Sequence, residues 1–361
     1  LFVTLYSGVL GGWVLLILAV VPVLTIWTEI VNWVTTQILK PRALPKLDFS
    51  KGIPDEHTTI VAVPCMLTKN ADIDRLVDNL EISYLGNDDP RLRFALLSDY
   101  VDADQAENDI DRELLDYAMA GIDALNMRYG HNTEQPFAVL HRRRLWNERA
   151  ARWMGWERKR GKIDELNLWL LGADDTSIKV IHGDGNTLRG ARYVITLDAD
   201  NQLLPGTAAE LIGALAHPLN RPRFDDTGHR VVGGYTVIQP RVDLHPASVN
   251  QTVFSRMMSG DTGIDLYHSA VSETYQDLFG QGVYAGKGIY DVRAFSRSVA
   301  GRVPTNAVLS HDLLEGILGR AALASDIVLL ENASPNLTAE LKRQHRWIRG
   351  DWQLLPWLLP I

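Results

Sequence analysis

From residue 1 to residue 28 the chain carries no charged side chain and is dominated by Leu, Val, Ile, Gly and Trp. About twenty apolar residues in a helix cross a hydrocarbon core of roughly 30 Å, so the pattern predicts a transmembrane helix over 1–28. The apolar region of a signal peptide is shorter, about 7–15 residues behind a basic leader. Residues 29–39 (EIVNWVTTQIL) prolong the helix or lie in the interface, within a linker over 29–47. Lys40, Arg42 and Lys46 follow with no acid among them, and by the positive-inside rule that places the globular part in the cytoplasm. The apolar stretch 352–361 begins an interfacial segment or another span.

Between these ends, 48–351 alternates two periods. Short aliphatic or β-branched runs predict strands at 58–63, 93–97, 137–140, 193–197, 231–238 and 327–330. Stripes at helical spacing separate them: Ile73, Leu76, Val77 and Leu80; Ile110, Leu114, Leu115, Ala118, Ile122 and Leu125; Leu211, Ile212 and Leu215; Leu313, Leu314, Ile317 and Leu318. These stripes are core packing. The alternation predicts an α/β domain with a mostly parallel sheet, whose ligands bind beyond the carboxyl ends of the strands.

Composition narrows this further. A chain of 361 residues, 46% hydrophobic, buries a sizeable core, and its net charge of −8 argues against a nucleic-acid partner. The single cysteine, Cys65, excludes an intramolecular disulfide and fits a reducing compartment. The start on Leu1 and the apolar close read as a segment of a longer protein.

The strongest chemical signal is the run YVITLDAD, in which a hydrophobic strand delivers Asp198 and Asp200 at its carboxyl end. If the strand persists, the two carboxylates project to one side. They then form a hard-oxygen site for Mg²⁺ or Mn²⁺. A solvated pair in a turn is the plain alternative. A dehalogenase-type phosphatase motif is excluded by Gln202 at its fifth position and by its place far down the chain. Asp312, in Ser310-His311-Asp312, precedes an apolar run; alone it reads as a helix N-cap, in combination as a general base. Arg343, Arg346 and Arg349 share helical spacing and suit a pyrophosphate, and Trp347 among them offers a stacking face for a sugar. The run 158–162 (RKRGK) meets phosphate or is merely solvated. The glycine-rich stretch 280–288 lacks Walker spacing and is no P-loop.

In order along the chain, Pro64, Asp99, Gly161-Lys162 with Leu166-Asn167, Asp198-Ala199-Asp200, Asp312 and the Arg-Trp motif resemble the family-2 type of processive glycosyltransferase. The phrases LPKLDFSKGIP, WMGWERKRGKIDELN, AHPLNRP, GKGIYDV and SHDLLEG are most similar to the glycosyltransferase portion of the cyclic β-1,2-glucan synthase subfamily. The resemblance implies a GT-A (nucleotide-diphospho-sugar transferase) fold and transfer of glucose from UDP-glucose to a β-glucan acceptor with inversion, at the cytoplasmic face of a bacterial inner membrane. It implies donor contacts from Asp99, Lys162, Asp198, Asp200 and Arg346. Asp198 and Asp200 would be metal ligands, Asp312 the base, and Gln344 and Trp347 acceptor contacts. Further glucan-processing domains would belong to the full-length chain. Two positions depart from the family pattern: Arg343 stands where it has Gln, and His311 precedes Asp312 where cellulose synthases have Glu. A cellulose- or chitin-type synthase, and an inactive sugar-nucleotide-binding scaffold, are the competing readings.

Overall fold

The computed structural model describes residues 2–38, 42–130, 135–259, 274–305 and 311–358. Its centre is a nine-stranded sheet. In chain order the strands are β1 (Thr59–Leu67), β2 (Leu92–Tyr100), β3 (Phe137–Arg142), β4 (Leu145–Asn147), β5 (Arg152–Met154), β6 (Ile178–His182), β7 (Tyr193–Thr196), β8 (Gln202–Leu203), β9 (Arg223–Phe224), β10 (Val231–Gly233), β11 (Val237–Leu244), β12 (Gly288–Asp291) and β13 (Ala321–Glu331). The sheet order is β6-β3-β2-β1-β7-β12-β11-β13-β8. β3, β2, β1 and β7 run parallel, as do β11 and β13, while β6, β12 and β8 are antiparallel to their neighbours. The expected mostly parallel sheet is present.

Both faces are covered, as a parallel sheet requires. Side chains alternate along β1: Val61, Val63, Cys65 and Leu67 enter one core, Ile60 and Ala62 the other. The first core is closed by α2 (Asn70–Gly86), α3 (Asp109–Tyr129) and the Thr207–Ala216 helix. The second is closed by α4 (Arg158–Leu170), through Ile163, Leu166, Trp169 and Leu170, and by Phe295 of the Val292–Val299 helix. The four predicted stripes all lie in helices. Asn108 starts α3 with a reciprocal capping box to Asp111.

Two expectations change. The run 231–238 is not one strand: Gly234 adopts φ +66° and breaks it, leaving β10 paired only with β9 and β11 in the main sheet. A Cβ at Gly234 would stand 1.9 Å from the Arg221 carbonyl oxygen, so the turn admits glycine alone. Nor does β7 persist through the paired aspartates; it stops at Thr196.

Ahead of the domain, the helix Phe2–Ile38 (α1) runs on past residue 28 without a break. Its window Leu18–Thr35 is long and apolar enough to cross a membrane, and none of it is buried against the rest of the protein. Of the three cations after the span, Lys40 lies outside the described residues. Arg42 donates its backbone N–H to Asp277 (3.1 Å), and Lys46 pairs with Asp326 (2.8 Å) and Glu210 (3.3 Å).

Candidate active site

The carboxyl ends of β2 and β3 put Asp99 and Arg142 opposite each other in register. Arg142, fully buried, grips Asp99 with two parallel bonds, Nε to Oδ1 and Nη2 to Oδ2, both 2.8 Å. Lys162 of α4 approaches the same carboxylate at 3.4 Å and donates to the Cys65 carbonyl at the end of β1. Burial lowers the Lys162 pKa, with Asp99 opposing the shift. The remaining Arg142 donors reach the Trp156 carbonyl at 3.1 and 3.2 Å and the Arg158 carbonyl at 3.3 Å. Asp99, only 3% exposed, is therefore the hub that joins β2, β3 and α4.

After β7 the chain turns: Asn201 donates its backbone N–H to the Asp198 carbonyl (3.0 Å), and its side chain accepts from the Asp198 N–H (2.8 Å). The Asp198 carboxylate lies between two ammonium groups, Lys159 at 2.5 Å and Lys287 at 3.2 Å. Burial alone would raise its pKa; the two lysines outweigh burial and lower it. Lys287 also pairs with Glu331 at the end of β13. Among the described residues Asp200 makes no ion pair. The residue is exposed, yet its carboxyl sits in a crowded mouth, where desolvation and then repulsion by Glu331 and Asp198 raise its pKa.

Asp312 is the first residue of the Asp312–Gly319 helix, and the N-cap is His311, which makes no side-chain cap bond. The plain N-cap reading of Asp312 is thereby corrected. Among the described residues its Oδ1 is buried without a hydrogen-bond partner. Against it lies Gly286, at φ +78°, where a Cβ would stand 2.7–2.9 Å from the carboxylate atoms. Lys159 donates to the Gly286 carbonyl at 2.7 Å as well as to Asp198. One lysine and one glycine thus connect the carboxylate after β7 to Asp312.

The Leu337–Gln353 helix brings Arg343, not Arg346, to this assembly. Arg343 pairs with Glu331 (3.2 Å) and Glu340 (2.8 Å), and its guanidinium lies 4.9 Å from the centre of the Trp347 ring. Gln344 donates to Glu340 at 3.0 Å, while Arg346 and Arg349 are exposed. In the run 158–162 the cations are ion-paired: Arg158, itself exposed, holds Asp102 at 2.6 Å, and Lys159, Arg160 and Lys162 hold Asp198, Glu157 and Asp99. Arg142, Lys287 and Glu331 were missed by sequence reasoning. The glycines flanking Lys287 are the only local signal it had. A cavity of about 800 Å³, lined by residues 46–53, Asn87–Pro90 and Glu210, lies at the amino end of β2, away from these groups.

A divalent cation needs oxygen ligands with unmet negative charge. Asp200 satisfies that test, whereas the two Asp198 oxygens are held by Lys159 and Lys287. The trio His311, Asp312 and Glu315 has its ligand atoms within 4.8 Å of one another. There His311 Nδ1 is hydrogen-bonded to Glu315 (2.8 Å).

No protein-family model matches the chain. Over 328 residues, 91% of its length, it is 45% identical to the cyclic β-(1,2)-glucan synthase NdvB of Rhizobium meliloti (strain 1021). The chain is kin to one segment of a cyclic β-(1,2)-glucan synthase. It spans 12% of that relative's length. Among solved structures, S. aureus TarS (residues 1–349) aligns with 76% of this chain and 60% of its own, at 12% identity and a TM-score of 0.37. Mannosyl-3-phosphoglycerate synthase from Rubrobacter xylanophilus aligns with 83% of this chain and 74% of its own, at 12% identity and a TM-score of 0.35. The fold itself is mixed α/β on a large and mostly parallel sheet.

Proposed function

We propose that this chain is an inverting glycosyltransferase unit that moves glucose from UDP-glucose to the non-reducing end of a growing β-1,2-glucan. The observation that carries the reading is the bridge at Gly286: its carbonyl is tied through Lys159 to Asp198, and its Cα packs on Asp312. On this reading a carboxylate for the donor side and one for the acceptor side are linked through one lysine and one glycine. In the reaction the acceptor 2-hydroxyl attacks the anomeric carbon, the bond to UDP breaks, and the hydroxyl proton passes to Asp312. Such proton transfer contributes about 10²–10⁴-fold.

Mg²⁺ or Mn²⁺, held by Asp200 with Asp198, would offset charge on the departing diphosphate. Asp99, positioned by Arg142 and Lys162, borders the nucleoside end. Arg346 contacts the diphosphate, and Gln344 and Trp347 meet the acceptor. α1 anchors the unit in the bacterial inner membrane with the domain in the cytoplasm, and the rest of the full-length chain supplies glucan-processing domains.

The test is UDP release from radiolabelled UDP-glucose in detergent, with and without EDTA, followed by linkage analysis. EDTA-sensitive release with 2-linked glucose supports the proposal. A 3- or 4-linked product makes it a synthase of another β-glycan. No release from folded protein supplied with a β-glucan primer and divalent metal favours the scaffold.

A further inference from the structure

The acid that precedes the base in cellulose synthases is His311 here, and the fold gives it a defined place. His311 is 7% exposed. Its Nδ1 lies 2.8 Å from Glu315 Oε2, one helical turn on, and 3.3 Å from Asp312 Oδ1. Among the described residues that Asp312 oxygen has no hydrogen-bond partner, and Gly286 lies against it. The charged and titratable groups facing the pair come from three elements. α4 contributes Lys159, Arg160 (4.0 Å from Glu315) and Asp164, with Glu157 held by Arg160 just before it. The loop before β12 contributes Tyr284, and β12 contributes Tyr290, both within the field of Glu315. Burial favours the neutral imidazole, but Glu315 and then Asp312 outweigh it and raise the His311 pKa above the usual histidine value.

We infer that His311, clamped by Glu315, is a positioning residue that holds the Asp312 carboxylate aimed at the acceptor hydroxyl. A cation this close favours the charged form of a carboxylate, and the Glu315 bond stops the ring from turning away. The inference rests on the reading of Asp312 as the base.

The experiment is the pH profile of kcat/KM for glucose transfer by the intact chain in detergent, for wild type, His311→Gln and Glu315→Gln. His311→Gln is expected to move the acid limb up by about one pH unit, roughly a tenfold loss on that limb, with UDP affinity unchanged and the rate recovering at higher pH. Glu315→Gln, which removes the carboxylate that keeps the ring charged, moves the limb the same way. It decides the matter should His311→Gln fail to fold. A rate lowered equally at every pH, or a limb that stays in place, overturns the inference. Full activity in Asp312→Asn would instead remove the base reading on which it stands.

Discussion

The His141 ring lies tilted at 54° to Tyr100 with centroids 4.1 Å apart, and its Nδ1 meets Ser98 Oγ at 2.9 Å. Burial pushes its pKa down from 6.5 to about 4. Between those values the unfolded chain binds a proton that the folded chain does not, so stability is complete above the unfolded value and falls as pH drops towards the folded one. The component lost is about 3 kcal/mol. Urea midpoints at pH 7 and pH 4.5 should show this loss in wild type and a smaller one in His141→Gln; equal losses would refute it. Next to it, Arg142→Met leaves Asp99 buried with Lys162 as its remaining cation. Breaking a buried pair from one side costs about 3–5 kcal/mol, and the same unfolding measurement checks it. Asp99 was legible in sequence because it ends a hydrophobic run. Arg142 was not, because nothing local in a sequence reports that residues 43 apart are register partners.

At the scale of elements, periodicity carried most of the domain: the helical stripes and the parallel strands follow directly from the spacing of apolar residues. What periodicity could not report were turns decided by contacts from elsewhere in the chain. The turn holding Asp198 is one, and Gly155 before α4 is another. A Cβ at Gly155 would stand 2.3 Å from Asp99 Oδ2 and 3.0 Å from Arg142 Nη2. Gly155→Ala should therefore destabilise by about 1–3 kcal/mol and weaken UDP binding, seen by thermal melts with and without UDP; an unchanged melt would contradict this packing. The Leu337–Gln353 helix offers a contrast between neighbours. Arg343→Gln strips Glu331 of one partner and should lower the melting temperature, whereas exposed Arg346→Gln should leave it unchanged and lower only kcat/KM. The opposite pattern would reverse the assignment of the two arginines.

The whole molecule joins an acidic α/β domain to an apolar helix. With a net charge of −8, electrostatic adsorption to an anionic lipid surface is disfavoured, and the proposed anchor within this chain is α1. Vesicles bearing the chain should keep it through alkaline carbonate and high-salt washes, and release by either wash would contradict a spanning α1. In the proposed reaction the donor-side and acceptor-side carboxylates stand on separate elements, linked among the described residues through Lys159 and Gly286, so chemistry and nucleotide binding should be separable by mutation. Comparing wild type with Asp312→Asn tests that most directly, by measuring glucose transfer from UDP-glucose alongside UDP affinity. The expected result is transfer reduced about 10²–10⁴-fold with UDP affinity within about twofold; undiminished transfer in Asp312→Asn would contradict the account.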